Sequence, residues 1–282
     1  MVLATVIQPP SNAAPEPVRP QRARGRARLS VSRSDGATRL DTMFQEGSAK
    51  LRLPRNRAGV IEAVMINSAG GLTGGDRFDW TVEVGPAAAA VLTTQACEKV
   101  YRAEGGPARV TAHLTVGAGG RLDWLPQETI LFDRSALHRR IEADVAPGGA
   151  LLLAEAVILG RQAMGETVLA TDFHDRWRIR REGRLVFAED LRLAGDIATL
   201  TAGRSLLAGA RAFATLLLLD DAPEALLPAV RAAIGPHGGA SAFEGKLVVR
   251  LAAADGLTLR RALLPAIAAL RTGQSAPGIW TL

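Results

Sequence analysis

Thr81-Val-Glu-Val-Gly-Pro-Ala-Ala88, His113-Leu-Thr-Val-Gly-Ala-Gly-Gly120 and Glu142-Ala-Asp-Val-Ala-Pro-Gly-Gly149 share one design. Each is an alternating strand that ends at Val84, Val116 or Val145. A turn of small residues follows, and then a fresh apolar run. The spacings are 32 and 29 residues. One pair of short strands cannot close a core, but three pairs in a row can bury one another. The repeat therefore predicts a mainly β fold of stacked, β-helix-like layers of short strands. An ordinary sandwich with similar hairpins is the alternative reading of the same pattern.

Outward from the repeat, Leu29 to Arg33, Val60 to Ile66, Phe78 to Val84, Arg109 to Val116, His138 to Val145 and Arg184 to Leu193 also read as strands. Gly, Pro and Asp punctuate them. Two segments in the C-terminal third read as α-helices. Ala222 to Ile234 has Asp221 as N-cap, Pro223 in its first turn and Gly235 at its end. Leu257 to Leu270 carries apolar residues at helical spacing and stops before Gly273.

The 282 residues are 48% apolar, enough for a sizeable core, while aromatic residues make up only 4%. One cysteine, Cys97, excludes an internal disulfide framework and fits a reducing, cytoplasmic setting. The N-terminus has neither a basic n-region nor a long apolar stretch, so no signal peptide is expected. No apolar run approaches a membrane span. The net charge of +6 has a local origin: Arg19, Arg22, Arg24, Arg26 and Arg28 fall within ten residues. Subtracting these five from +6 leaves +1 for the rest. Residues 1–26 are accordingly expected to be a disordered Arg/Pro-rich arm before a single β-rich domain over 27–282. No aromatic residue interleaves those arginines, which speaks against nucleic acid as a partner.

Four segments could carry chemistry. The loop Asn67-Ser-Ala-Gly-Gly-Leu-Thr-Gly-Gly-Asp76 is rich in glycine and ends in a carboxylate. It lacks the Lys of a phosphate-binding loop, and Asp76 would repel phosphate. A tight turn, a metal contact or a partner contact remains. Thr93-Thr-Gln-Ala-Cys-Glu-Lys-Val-Tyr-Arg102 places Cys97 beside Glu98 and Lys99. A cysteine hydrolase using Cys97, with His113 or His138 as base, is one reading, and a buried inert thiol is the other. Trp124-Leu-Pro-Gln-Glu-Thr-Ile-Leu-Phe-Asp133 sets Glu128 among apolar neighbours, so that carboxylate is paired or lines a polar cavity. Gly160-Arg-Gln-Ala-Met-Gly-Glu166 is a second glycine turn ending in an acid. The four histidines, at 113, 138, 174 and 237, show no metal-ligand spacing, and there is no C-x-x-C.

Taken together, GGLTGGD (70–76), TTQACEKVYR (93–102), WLPQETILFD (124–133) and GRQAMGE (160–166) resemble the urease accessory protein D family, called H in some bacteria. The resemblance runs from about residue 27 to the C-terminus. Ala276-Pro-Gly-Ile-Trp280 is similar to the family's Pro-x-x-Trp tail, with Gly278 where a basic residue often stands. The resemblance implies a non-enzymatic maturation factor of unusual helix-like β winding with two helices. It implies partners: urease apoprotein and the accessory proteins F and G, of which G is the GTPase. A separate protein E supplies nickel. No nucleic acid or membrane partner and no tightly bound cofactor is implied. It also implies an internal passage for nickel. If the turns stack, Asp76, Glu98, Glu128 and Glu166 would face that passage and hold nickel in transit through oxygen ligands. Alternatively, these acids pair with Arg77, Lys99, Arg102 or Arg161 and stabilise turns. A polysaccharide-binding solenoid is a further class, disfavoured by one Tyr and four Trp. As docking elements for protein partners, the apolar run Leu206 to Leu219 and the C-terminal helix are the first candidates.

Overall fold

The computed structural model describes residues 21–54, 60–161, 164–204 and 206–281. The chain opens with β1 (Arg24–Ser34), β2 (Ala37–Gly47), β3 (Ala49–Arg52), β4 (Ile61–Asn67), β5 (Arg77–Val84) and β6 (Ala89–Thr94). Next come β7 (Glu98–Val100), β8 (Ala108–Val116), β9 (Arg121–Leu125), β10 (Thr129–Leu131), β11 (Ser135–Val145) and β12 (Ala150–Leu159). The remainder holds β13 (Ala170–Arg181), β14 (Arg184–Asp196), α1 (Ile197–Ala202), β15 (Ala212–Leu219), α2 (Leu227–Ile234), β16 (Gly238–Phe243), β17 (Lys246–Ala253) and α3 (Gly256–Leu270).

These strands form two sheets. The first has the order β14-β13-β11-β8-β5-β1-β2, and the second β16-β17-β15-β12-β9-β6-β4-β3 with β10 and β7 joined to it beside β12. From β4 to β13 the chain crosses repeatedly between them. β5, β8, β11 and β13 pair in parallel in the first sheet, while β4, β6, β9 and β12 do so in the second. Parallel neighbours require a crossover, and here the crossover is a strand of the opposite sheet rather than a helix. The result is a solenoid-like coil. Val84 lies opposite Val116, and Val116 opposite Val145, so the repeat of the sequence is the register of the coil. Antiparallel strands close both ends of the coil: β2 and β14 on the first sheet, β3 and β15 on the second.

Two cores result. The first lies between the sheets and includes Leu29, Trp80, Leu92, Leu114, Trp124 and Trp177. The second lies between the second sheet and α2 and α3, around Leu216, Leu263, Ile267 and Trp280. β12 feeds both: Leu151, Leu153 and Val157 face the first, Leu152, Ala154 and Ala156 the second. A strand buried on two faces reads as a near-continuous apolar run, interrupted in β12 by Glu155. β15 is buried at all eight positions for the same reason. It is core and not the docking element its composition invites; at its N-terminal approach Leu206 is exposed.

Three sequence expectations need adjustment. β1 begins at Arg24, inside the stretch expected to be an arm, and residues 1–20 lie outside the described residues. Within β1, Arg28 pairs with Glu83 at 2.7 Å, while Arg22 donates to the Glu104 carbonyl at 3.0 Å. The expected helix Ala222 to Ile234 is split. Pro223–Leu226 is a 3-10 turn whose N-cap is Ala222 without a side-chain bond, and α2 starts only at Leu227. Pro228 stands in the first turn of α2, where its missing N–H costs no helical bond, and its ring disfavours extending the helix back across Leu226. A short third helix, α1, is capped by Asp196, whose side chain accepts from the Thr199 amide at 3.3 Å. Six residues carry too little periodicity to be read in advance. The predicted Leu257 to Leu270 helix is present as α3, capped by Asp255.

Candidate functional site

The loops at one end of the coil carry all four sequence motifs. Between the sheets there they enclose a cavity of about 260 Å³. Its walls come from both sheets and from the loops Gly70–Leu72 and Thr94–Lys99. Polar and charged residues interrupt the apolar wall: Asn67, Thr94, Gln95, Cys97, Glu98, Lys99, Gln127, Thr129, Arg139 and Glu155. The glycine loop wraps the cavity mouth. Gly71 has φ +149°, and a Cβ there would stand 2.8 Å from the Lys99 carbonyl and 2.4 Å from the Tyr101 ring. Only glycine lets this turn approach β7 so closely.

Of the acids singled out by sequence, Glu98 is the one that lines the cavity. Asn67 Nδ2 donates to its oxygens at 3.3 and 3.4 Å. Burial pushes its carboxyl up from 4.5 to about 7; hydrogen bonds from Asn67 and the Lys99 amide oppose, and the charge of Asp76 adds to the rise. Asp76 itself is buried and does not line the cavity. Its Oδ1 accepts from the Ala23 amide and its Oδ2 from the Thr73 amide, both at 2.8 Å. It thus closes the glycine loop and fastens the start of β1. Glu166 likewise closes its own turn, accepting from the Arg161 amide and Nε at 2.9 Å each. The hydrogen bond from Arg161 holds its carboxyl below the usual range.

Glu128 sits behind the cavity wall, 1% exposed. Arg260 of α3 donates to both of its oxygens, through Nε at 2.8 Å and through Nη2. Burial alone would raise this carboxyl, but the bonds and charge of Arg260 outweigh it and hold the group below its ordinary value. The same guanidinium donates to Gln127 Oε1 at 3.0 Å and to the Trp280 carbonyl at 3.2 Å. Trp280 is buried and its Nε1 donates to Thr93 Oγ1 at 2.9 Å, so the C-terminal tail is tied into the site.

The structure therefore gathers Glu98 at the cavity and Glu128 beside it, and sends Asp76 and Glu166 to loop closure. Glu166 takes the partner expected for a turn-stabilising acid, Arg161, while Glu128 takes Arg260, which lies 132 residues away. Among the described residues no group of three or more His, Cys, Asp and Glu side chains is placed to hold a metal ion.

Cys97 corrects the hydrolase reading. Its Sγ lies 3.4 Å from Glu128 Oε2, and burial together with that neighbouring charge pushes the thiol up to about 11. A thiol that stays protonated at neutral pH is a poor nucleophile. The expected bases are elsewhere: His113 faces Glu142 at 3.3 Å and His138 faces Asp172 at 3.0 Å, both on the outer side of the first sheet.

The sequence reading missed Arg139, Glu155 and Asp175. Arg139 of β11 is 7% exposed and reaches across the cavity wall. It bonds Glu155 of β12 through Nη1 and Asp175 of β13 through Nε at 3.0 Å. Trp124 Nε1 donates to Glu155 and Trp177 Nε1 to Asp175, each at 3.0 Å. Burial raises the Glu155 carboxyl while Arg139 pulls against it. A signal for this network was present. Arg139 and Asp175 occupy the inward parity of their strands, among Leu137 and Ile141 or Phe173 and Trp177. A charge on the apolar parity of a strand needs a partner in the core.

The chain is similar to known proteins over nearly its whole length. A family model described as UreD urease accessory protein matches residues 23–281. A protein of Agrobacterium fabrum named urease accessory protein UreD is 55% identical over 269 residues, 95% of each chain. A protein of the same name from Rhizobium leguminosarum bv. viciae is 56% identical over 265 residues, 94% of this chain and 97% of that one. In Chelativorans sp. the figure is 48% over 273 residues, 96% of this chain and 98% of the relative.

Proposed function

Because the chain belongs to the UreD urease accessory protein family, with a role in urease maturation, we propose that it is the scaffold on which urease apoprotein meets the accessory proteins F and G in the cytoplasm, and that nickel moves through its interior toward the urease active site. The observation that carries the second half is the cavity between the sheets, with Glu98 and Glu155 on its wall. Oxygen donors hold Ni²⁺ more weakly than nitrogen or sulfur donors do. The cavity offers carboxylates, amides and the hydroxyls of Thr94 and Thr129 beside the cations Lys99 and Arg139, and its thiol is held protonated by burial and by Glu128. Such a wall suits an ion in transit. Glu98, raised to about 7, can accept an ion by releasing a proton and take the proton back when the ion leaves.

The test is activation of purified urease apoprotein by nickel, GTP and proteins F and G, with and without this chain. Urease activity should fall at least tenfold when the chain is omitted. Glu98→Gln should lower activation severalfold while the complex with F and G still elutes as one species. Equal activation without the chain would sink the maturation role. Full activation by Glu98→Gln would remove Glu98 from the passage.

A further inference from the structure

A second hollow, of about 920 Å³, opens to the surface between β7, β10, the turn after β12 and α3. It shares Gln95, Ala96, Cys97, Lys99 and Gln127 with the interior cavity, so the two hollows are neighbours. Three cations line it, Lys99, Arg161 and Arg260, against one carboxylate, Glu128. Arg260 neutralises Glu128, and Arg161 is paired with Glu166 while its guanidinium lies 4.3 Å from the centre of the Phe132 ring. Lys99 is exposed and forms no ion pair among the described residues. The rim is apolar: Met164 is 75% exposed and Leu257 62%, and Ile279 also lines the hollow. Large apolar side chains left in water around a cleft mark a protein-binding surface. The size suits a short stretch of chain rather than a bare ion.

From this combination we infer that the outer cleft is a docking groove for a segment of a partner protein that carries a carboxylate between apolar side chains, with Lys99 as its counter-charge and Met164 and Leu257 as its apolar seats. The assignment rests on the maturation reading, which supplies the partner proteins to test. A zero-length carbodiimide offers a direct probe, because it joins a lysine amine only to a carboxylate in contact with it. The lysines of the chain are Lys50, Lys99 and Lys246, and Lys246 is buried against Glu244. The full chain is mixed with urease apoprotein, and separately with protein F, then cross-linked and digested for mass spectrometry. The expected adduct joins Lys99 to an Asp or Glu of one partner. Lys99→Glu should weaken that complex at least tenfold at low salt, and Lys99→Arg should lose the adduct but keep the affinity within about twofold. Met164→Ala with Leu257→Ala should weaken it independently of salt. An unchanged affinity in Lys99→Glu, or adducts through Lys50 alone, overturns the groove and leaves the maturation role standing. A chain that binds neither protein overturns both.

Discussion

Glu98 is held above its ordinary range by the cavity around it, and this has a consequence for stability. Between 4.5 and about 7 the folded chain keeps a proton that the unfolded chain has released. Stability therefore falls as pH rises through that window and is level above it, by at most about 1.4 kcal/mol per pH unit for one group. Replacing the acid by a neutral isostere removes this slope. Glu98→Gln should be as stable as the wild type near pH 4.5, and more stable by about 1–2 kcal/mol at pH 8 once partial solvent access is allowed for. Urea unfolding at the two pH values checks this; parallel pH profiles would show that Glu98 is not protonated in the native state. Glu128 behaves in the opposite sense, since its folded value lies below the ordinary one and its contribution is lost only in acid. The two carboxylates are 30 residues apart in the chain and look alike in sequence. Their difference comes from Arg260, which reaches one and not the other.

At the scale of the element, α3 is the piece that completes the site. Its outer residue Arg260 enters between Glu128, Gln127 and the Trp280 carbonyl, while Leu259, Leu263 and Ile267 fill the second core. Arg260→Ala would leave Glu128 buried without its counter-charge. A loss of about 2–4 kcal/mol in unfolding free energy is expected. Arg260→Lys should recover only part of it, because the bond to both carboxylate oxygens needs a planar fork. Equal stability of the alanine variant would mean that Glu128 is satisfied by water instead. The loop elements obey a simpler rule. Gly74 approaches the Gly106 carbonyl so closely that a Cβ would stand 2.5 Å from it, and here the sequence motif is explained by space alone.

At the scale of the molecule, the second sheet belongs to both cores, since alternate residues of β12 point into each. The layers should therefore unfold together. Trp80, Trp124 and Trp177 report on the first core and Trp280 on the second. Fluorescence and far-ultraviolet circular dichroism should give one midpoint in urea, both in the wild type and in Trp280→Phe. Separate midpoints would show that the helical layer detaches first.

The sequence by itself determined the period of the coil, because the strands ending at Val84, Val116 and Val145 repeat locally and their alternation marks the buried face. It also determined α3 and the four loop motifs, which the fold then gathers at one end. Only the tertiary structure decided the rest. β1 enters the first sheet between β5 and β2, a pairing that no local pattern encodes. Which acids face the cavity depends on partners far along the chain: Arg139 with Glu155 and Asp175, Arg260 with Glu128. Periodicity is a property of neighbouring residues and is written in the sequence. The state of a buried charge is a property of what stands opposite, and the fold alone brings that residue there.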